Sequence, residues 1–146
     1  MSAMNSVAFR LINYRFEKIE LNLKNPGGHL NLSFNPYGEY HKSKGIYHLF
    51  FDFYAKDDND VQVALVSCHA IFEFTEKSAD IPDYFYTNSI AILFPYVRSM
   101  VSTVTLQANV NPILLPTLNL SDLRQPLRDK TNIVEEDEDN LSNTTK

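Results

Sequence analysis

Apolar and polar residues alternate along most of the first 75 positions of the chain. The alternation predicts four strands, over residues 7–23, 30–34, 45–56 and 61–75. Turn-forming clusters follow the first two of them, at 25–28 (Asn-Pro-Gly-Gly) and 35–38 (Asn-Pro-Tyr-Gly). Because the apolar parity changes within the first strand, we expect a bulge or a switch of faces near Phe16. The short turn-type connections predict an antiparallel sheet.

The two strands at 45–56 and 61–75 are apolar on both faces. In the first of them Phe51 and Phe53 alternate with Phe50 and Tyr54. A strand of this kind needs cover on both sides of the sheet. We therefore expect either two covering layers from this chain or one from another subunit.

After Thr87 the apolar period changes to three and four residues, which predicts a long helix. Asn88 or Ser89 is suited to begin it, whereas Pro95 and the β-branched run 101–105 argue against a regular helix. A second, short helix is predicted from Asn119, and Pro126 limits its length. The expected fold class is α+β, with a four-stranded antiparallel sheet followed by a long helix and a short C-terminal helix.

Charge and aromatic residues are both distributed unevenly. Of a formal net charge of −5 over 146 residues, residues 135–146 carry −4, from five acidic residues and one lysine. All 18 Phe and Tyr residues lie between Phe9 and Tyr96. We expect one domain over residues 1–128 and an acidic, flexible tail over 129–146. The negative charge argues against a nucleic-acid partner.

Targeting and membrane segments are not expected. Arg10, Asn13 and Arg15 interrupt the N-terminal apolar residues, and no uninterrupted apolar stretch of about 18 residues is found. We therefore expect a cytoplasmic protein without membrane insertion.

The sequence contains no organised catalytic set. It has no glycine-rich phosphate loop and no nucleophile elbow, and one cysteine excludes a disulfide framework. Cys68 and His69 are neighbours on a strand, so their side chains point to opposite faces. His29, His41 and His48 do not have the spacing of a known zinc site. We expect no catalytic residues, no metal and no cofactor, and hence a protein that is not an enzyme.

Several separated motifs resemble the SecB family of protein-export chaperones. The segment Leu93-Phe94-Pro95-Tyr96 with Arg98 is similar to the helix signature of that family. At the expected distances follow the proline-bounded segment 112–116, then Asn119-Leu120 and Leu123, and Ala70-Ile71-Phe72 fits the end of the family's fourth strand. The resemblance covers about residues 7–128. It implies an ATP-independent holdase that binds unfolded polypeptides, including preproteins, and assembles as a homotetramer, a dimer of dimers.

The resemblance also implies site residues. Client-binding positions would come from the second strand, the crossover to the first helix, and the last helix: Leu30, Leu32, Phe34, Tyr84, Phe85, Tyr86, Leu123 and Leu127. For the three residues of the second strand, an ordinary core position is an equally good interpretation. The three consecutive aromatics at 84–86 cannot all face one core, which favours client or subunit contact. The helix stripe expected at the oligomer interface comprises Val97, Met100, Val101 and Val104.

One departure from the family concerns the SecA motor. Family members dock SecA through acidic residues on the sheet, one of them in the fourth strand, whereas Ala64, Leu65 and Val66 stand in that neighbourhood here. SecA binding is therefore in question. Two alternatives stay open: a SecB-like chaperone of a toxin–antitoxin pair, and a small-ligand-binding or adaptor protein on the same scaffold, with the aromatic strand faces lining a pocket.

Overall fold

The computed structural model describes residues 7–22, 29–116 and 118–135. Within these residues the fold consists of five strands and two helices. In chain order they are β1 (Phe9–Leu21), β2 (Asn31–His41), β3 (Ile46–Lys56), β4 (Gln62–Phe74), α1 (Asp83–Gln107), α2 (Arg124–Asp129) and β5 (Thr131–Val134). Single 3-10 turns precede β3 and α2, at Lys42–Lys44 and Leu120–Leu123. The α+β class is confirmed, and four strands precede the helices as predicted, whereas β5 follows them.

The sheet has five strands in the order β1-β4-β3-β2-β5, and it is mixed. β1 to β4 pair antiparallel, while β5 runs parallel to β2 along Gly38–His41. The prediction of a four-stranded, antiparallel sheet was wrong in this respect. The additional strand comes from residues 131–134, in the segment expected to be a tail, where Thr131, Ile133 and Val134 favour extended backbone. The rest of that segment, 136–146, lies outside the described residues.

The predicted turn at residues 35–38 is part of β2 instead. The Gly38 N–H donates to the Lys130 carbonyl oxygen at 3.1 Å, so the even-numbered residues of β2 direct their amides to the β5 side. An N–H at position 36 would therefore face the same side, but the pairing with β5 begins only at Gly38. Because no sheet hydrogen bond is lost there, proline is tolerated in the strand.

Two one-residue bulges explain the changing parity of β1. The pairing with β4 shifts between Leu11 and Asn13 and again between Phe16 and Lys18, which confirms the irregularity expected near Phe16. Each shift leaves one additional residue, Ile12 and Glu17. Apolar side chains thereby stay on one face of the sheet through all 13 residues of β1.

α1 covers that same face, called here the inner face. The helix begins at Asp83, five residues before the predicted start, and it continues through Pro95. Its nine buried side chains pack into a core rich in aromatic rings. By length and composition alone α1 could also cross a membrane, a property that core helices of water-soluble proteins share. Within the described residues, helices cover only the inner face, and the outer face carries half-exposed side chains.

Candidate functional site

The crossover from the sheet into α1 separates its three aromatic side chains. Phe85 is fully buried, with its ring centroid 4.6 Å from that of Tyr47 and 4.7 Å from that of Phe9. Tyr86 is 7% exposed and also belongs to the core. Tyr84 is 41% exposed, and its hydroxyl donates to the Val7 carbonyl oxygen. Because two of the three rings are core residues, only Tyr84 is placed for the contact expected of this cluster.

The start of β2 forms an apolar rim at the edge of the core. Leu30, Leu32 and Phe34 are partly buried and pack against the core cluster. The Phe34 ring lies 5.4 Å from that of Phe53 and 6.0 Å from that of Phe94. These three side chains are therefore core-edge residues that keep part of their surface in solvent.

The short C-terminal helix is fastened to the beginning of α1. Arg124 and Arg128 both donate to the Asp83 carboxylate, at 3.0 Å and 3.1 Å. Leu127 is fully buried and anchors the helix in the core, whereas Leu123 is only partly buried. Of the two predicted positions, Leu127 in α2 and Leu123 in the 3-10 turn before it, Leu123 alone presents surface.

The proline-bounded segment between the two helices is held by one buried hydroxyl. Thr105 of α1, which is fully buried, accepts a hydrogen bond from the Ile113 N–H at 2.9 Å. Leu115 is 1% exposed and holds the segment at its other end, while Leu114 between them is 71% exposed. The segment thus presents a leucine to solvent from a fixed backbone.

Together these elements surround the core with apolar side chains that are neither fully buried nor free. The partly buried members that pack on the core are Leu30, Leu32, Phe34, Ile113, Leu118, Leu120 and Leu123. We call this set, with the exposed Leu114, the apolar rim. Such side chains can bury the apolar groups of another polypeptide without recognising a particular sequence.

Three observations on the described residues concern metal binding, thiol reactivity and a ligand pocket. Among them, no group of three or more His, Cys, Asp or Glu side chains is placed to hold a metal ion. Burial raises the pKa of the Cys68 thiol to about 12, which keeps it protonated and unreactive. The aromatic rings of β3 and β4 on the inner face are core residues, so Phe51, Phe53 and Phe72 occupy the space that a ligand pocket between sheet and helix would need.

The helix stripe expected at an oligomer interface faces the protein's own sheet. Val97 is 0% exposed and Val101 is 1% exposed, and Met100 and Val104 are partly buried. The periodicity located the apolar side of α1 correctly, but that side is buried within the protomer because the sheet already covers it.

The opposite side of α1 is a second candidate surface, which the sequence reasoning missed. Ile92 and Leu106 are exposed there, by 38% and 61%. Tyr96, which is 42% exposed, lies at the margin of this side, where its ring stacks on that of Tyr14 of β1 with 4.4 Å between centroids. Among the 25 residues of the helix only Asp83 and Arg98 are charged. The signal was available in the sequence, since a helix with one face in water normally carries charged residues on that face. The other exposed residues of the helix between Ala91 and Leu106 are Ala91, Pro95, Arg98, Ser99 and Thr103, and of these only Arg98 is charged.

Comparison with known proteins gives one informative similarity of fold. No protein family model matches the chain. A segment of 59 residues is 41% identical to an uncharacterized protein of Methanocaldococcus jannaschii, and it spans 40% of this chain and 38% of that protein. Among solved structures, the SecB-like chaperone of Mycobacterium tuberculosis in complex with a ChAD peptide from the HigA1 antitoxin superimposes with a TM-score of 0.62. The identity is 19%, over 76% of this chain and 88% of that one. A protein of unknown function from Streptococcus agalactiae matches with a TM-score of 0.45 and 10% identity, over 77% and 99% of the two chains.

The chain therefore has a SecB-like fold. At 19% identity the similarity to the mycobacterial chaperone concerns the arrangement of strands and helices, and the site residues have to be argued from the side chains themselves.

Proposed function

We propose that this protein is a SecB-like, ATP-independent holdase chaperone that binds unfolded polypeptides in the cytoplasm. The observation that carries the proposal is the apolar rim, because partly buried apolar side chains on a SecB-like fold offer surface to the apolar segments of an unfolded chain. Burial of one large apolar side chain of a client contributes about 1.5–3 kcal/mol before ordering costs. Several shallow contacts are then needed for useful affinity.

Assembly would supply those repeated contacts. The uncharged outer side of α1 is suited to pack against a second copy, and an assembly of four protomers presents four rims to one chain. Linked weak sites raise the apparent affinity through effective concentration. We accordingly propose a homotetramer in which Ile92 and Tyr96 lie at an interface, in place of Val97 and Val101.

The client class is the finer part of the proposal. The structural neighbour is bound to a peptide of an antitoxin, and the carboxylates expected for SecA docking are missing from β4 near Leu65. Both observations favour an antitoxin, as in a toxin–antitoxin chaperone, over exported preproteins as the principal client. Purification of the protein from its native cell with its bound partners distinguishes the two, since either an antitoxin or preproteins together with SecA would accompany it.

The holdase activity is tested by suppression of the aggregation of a chemically unfolded client. We expect suppression at stoichiometric amounts without ATP. Leu114→Ser and Leu32→Ser should weaken it, while Val61→Ser, at a residue 45% exposed outside the rim, should not. Tyr84→Ser tests the crossover without removing a core ring. Absence of any suppression by the wild-type protein at molar excess would refute the proposal.

A further inference from the structure

Three histidines form a row across the outer face of the sheet. His41, His48 and His69 come from β2, β3 and β4, which are adjacent strands. A carboxylate closes each end of the row, since Glu39 lies 2.9 Å from His41 Nε2 and Glu17 lies 3.2 Å from His69 Nδ1. The row lies on the side of the sheet opposite to the apolar rim and α1.

The two inner histidines of the row are in direct contact. His48 Nδ1 lies 2.8 Å from His69 Nε2, a diagonal contact, because the residues directly opposite are Ile71 for His48 and Phe50 for His69. The Phe50 ring stacks on His69 with 4.4 Å between the ring centroids. At this distance one nitrogen has to donate and the other has to accept. The hydrogen bond therefore forms only when a single proton lies between these two nitrogens.

A bulge in β1 determines which nitrogen donates. Glu17 is the additional residue of the second bulge. Its carboxylate accepts hydrogen bonds from His69 Nδ1 and from the Arg15 side chain. A carboxylate only accepts, so His69 Nδ1 carries the proton and His69 Nε2 is the acceptor. His48 therefore donates from Nδ1. The resulting chain of hydrogen bonds runs from His48 through His69 to Glu17.

His48 has a second partner within reach. Glu39 is directly opposite His48 in the pairing of β2 with β3, on the same face of the sheet. Its carboxylate also accepts a hydrogen bond from His41 Nε2. The His41 ring meets that of His48 edge to face, with 5.3 Å between centroids. The diagonal neighbour His69 and the opposite neighbour Glu39 are thus alternative acceptors for His48.

We propose that His48 and His69 form a proton-operated switch on the outer face of the sheet. With one shared proton the two imidazoles are joined. The first proton added to the neutral pair leaves the contact in place, because an imidazolium N–H still donates to the neutral ring. When a second proton is added, so that both rings are charged, two N–H donors and two positive charges face each other at a hydrogen-bond distance, and the contact breaks. His69 then stays with Glu17, and His48 turns to Glu39. The second proton also adds positive charge to a face whose nearby charged groups are Arg15 and Glu17 of β1, Glu39 and His41 of β2, and Asp52 of β3.

The surroundings lower the pKa of both His48 and Glu17. Desolvation by burial, followed by the charges of His69 and His41, lowers the pKa of His48, and Glu39 offsets this only in part. Desolvation raises the pKa of Glu17, but the hydrogen bonds from Arg15 and His69 outweigh it, so that its pKa is lowered overall. The lowered pKa keeps the carboxylate that holds His69 charged at neutral pH.

The experiment is a pH titration of the imidazole nitrogens by long-range ¹H–¹⁵N NMR on the full-length protein, from pH 8 to pH 4.5. At pH 8 we expect both His48 and His69 with the proton on Nδ1. On acidification, His48 should bind its proton at least about tenfold more weakly in the native protein than in the protein unfolded in urea. The Phe50 ring signals should shift together with this second step, because the ring rests on His69.

Three variants separate the switch from ordinary surface titration. His69→Gln removes the repulsion and should strengthen proton binding by His48 about tenfold. Glu39→Gln removes the negative charge that favours protonated His48 and should weaken its proton binding further. Asp58→Asn, the matched control, removes a carboxylate 3.0 Å from a histidine outside the row, His29, and should leave the titration of His48 unchanged. A His48 that titrates in the native protein as it does in the unfolded protein, or that does not respond to His69→Gln, overturns the switch. If His69→Gln fails to fold, a proton found on His48 Nε2 in the wild-type protein at pH 8 overturns it. None of these measurements depends on chaperone activity.

Discussion

Gly38 of β2 lies directly against the hydroxyl group of Tyr47 on β3, so that a side chain at position 38 would occupy the space of this hydroxyl. The Tyr47 hydroxyl donates to Thr131 Oγ1 at 2.6 Å, and Thr131 in turn donates to the Leu127 carbonyl oxygen at 2.7 Å. Because Gly38 has no side chain, the Tyr47 hydroxyl can connect β2 and β3 with β5 and α2 through these hydrogen bonds.

Gly38→Ala should lower the free energy of unfolding by about 1–3 kcal/mol, the usual effect of inserting atoms into a packed core. The Tyr47 ring is fully buried against Phe85 and has no room to retreat. Urea unfolding followed by far-ultraviolet circular dichroism measures the loss. Ser33→Ala, at an exposed position of the same strand, is the control and should change little. Equal stability of Gly38→Ala and the wild type would show that the ring adapts.

Thr105→Val should loosen the segment that carries Leu114. The substitution keeps the shape of the side chain but leaves the Ile113 N–H without its acceptor, which costs about 1–3 kcal/mol for a buried group. Hydrogen exchange at the Ile113 amide should accelerate accordingly. Thr103→Val, two residues earlier and exposed, should leave this amide protected. An unchanged exchange rate in Thr105→Val would mean that the segment is held by Leu115 alone.

Ile92→Glu should reduce the size of the assembly. The uncharged outer side of α1 is proposed to pack against a second copy, and a buried carboxylate without a partner opposes that contact. Sedimentation velocity should then report smaller species with unchanged circular dichroism. Val61→Glu makes the same change at a residue 45% exposed in the turn before β4 and should leave the assembly intact. An Ile92→Glu protein of wild-type size would place the interface elsewhere.

Stability should fall on the acid side of neutrality. The pKa of His48 is lowered by burial and by the charges of His69 and His41, so the unfolded chain binds its proton more readily than the folded one. The contribution of His48 is complete above its unfolded pKa of about 6.5 and is lost as the pH falls from there toward its folded pKa. Thermal unfolding between pH 7.5 and pH 5 should show this decrease. In His48→Gln the decrease should be smaller, and an equal decrease would assign it to other groups.

Cys68 should not react in the native protein. Burial raises the pKa of its thiol to about 12, so at pH 8 almost no thiolate is present, and the side chain is 2% exposed. A chromogenic disulfide reagent should label less than one thiol per chain over hours at pH 8, and one thiol per chain within minutes in urea. Rapid labelling without denaturant would indicate local opening between β4 and α1.

Local patterns in the sequence were sufficient to locate the elements in which buried and exposed positions recur at the period of the strand or helix. Alternation located the four long strands, and the three-to-four period located α1 and its buried side from Ile90 to Val101. The parity change near Phe16 correctly indicated a bulge, although only the pairing with β4 revealed that there are two. Asn119 begins the last helical segment as expected, since its side chain accepts from the Ser121 N–H.

Other features depended on contacts between residues distant in sequence, which no local pattern encodes. Pro36 and Gly38 have the composition of a turn, yet they continue β2. Pro36 faces the part of the β2 edge that β5 does not reach, and Gly38 makes room for Tyr47. Residues 131–134 become a strand because β2 offers its edge there.

By itself the sequence determined the α+β class, the apolar side of each long element and the resemblance to SecB, because hydrophobic burial follows the geometry of the element that carries it. Only the tertiary structure decided which apolar residues stay accessible. It buried Phe85, Val97 and Leu127 in the protomer and left Leu114 and Ile92 exposed. It also joined His48 to His69, which are 21 residues apart. Accessibility and contact between strands depend on which surfaces pack together, and that packing is a property of the whole fold.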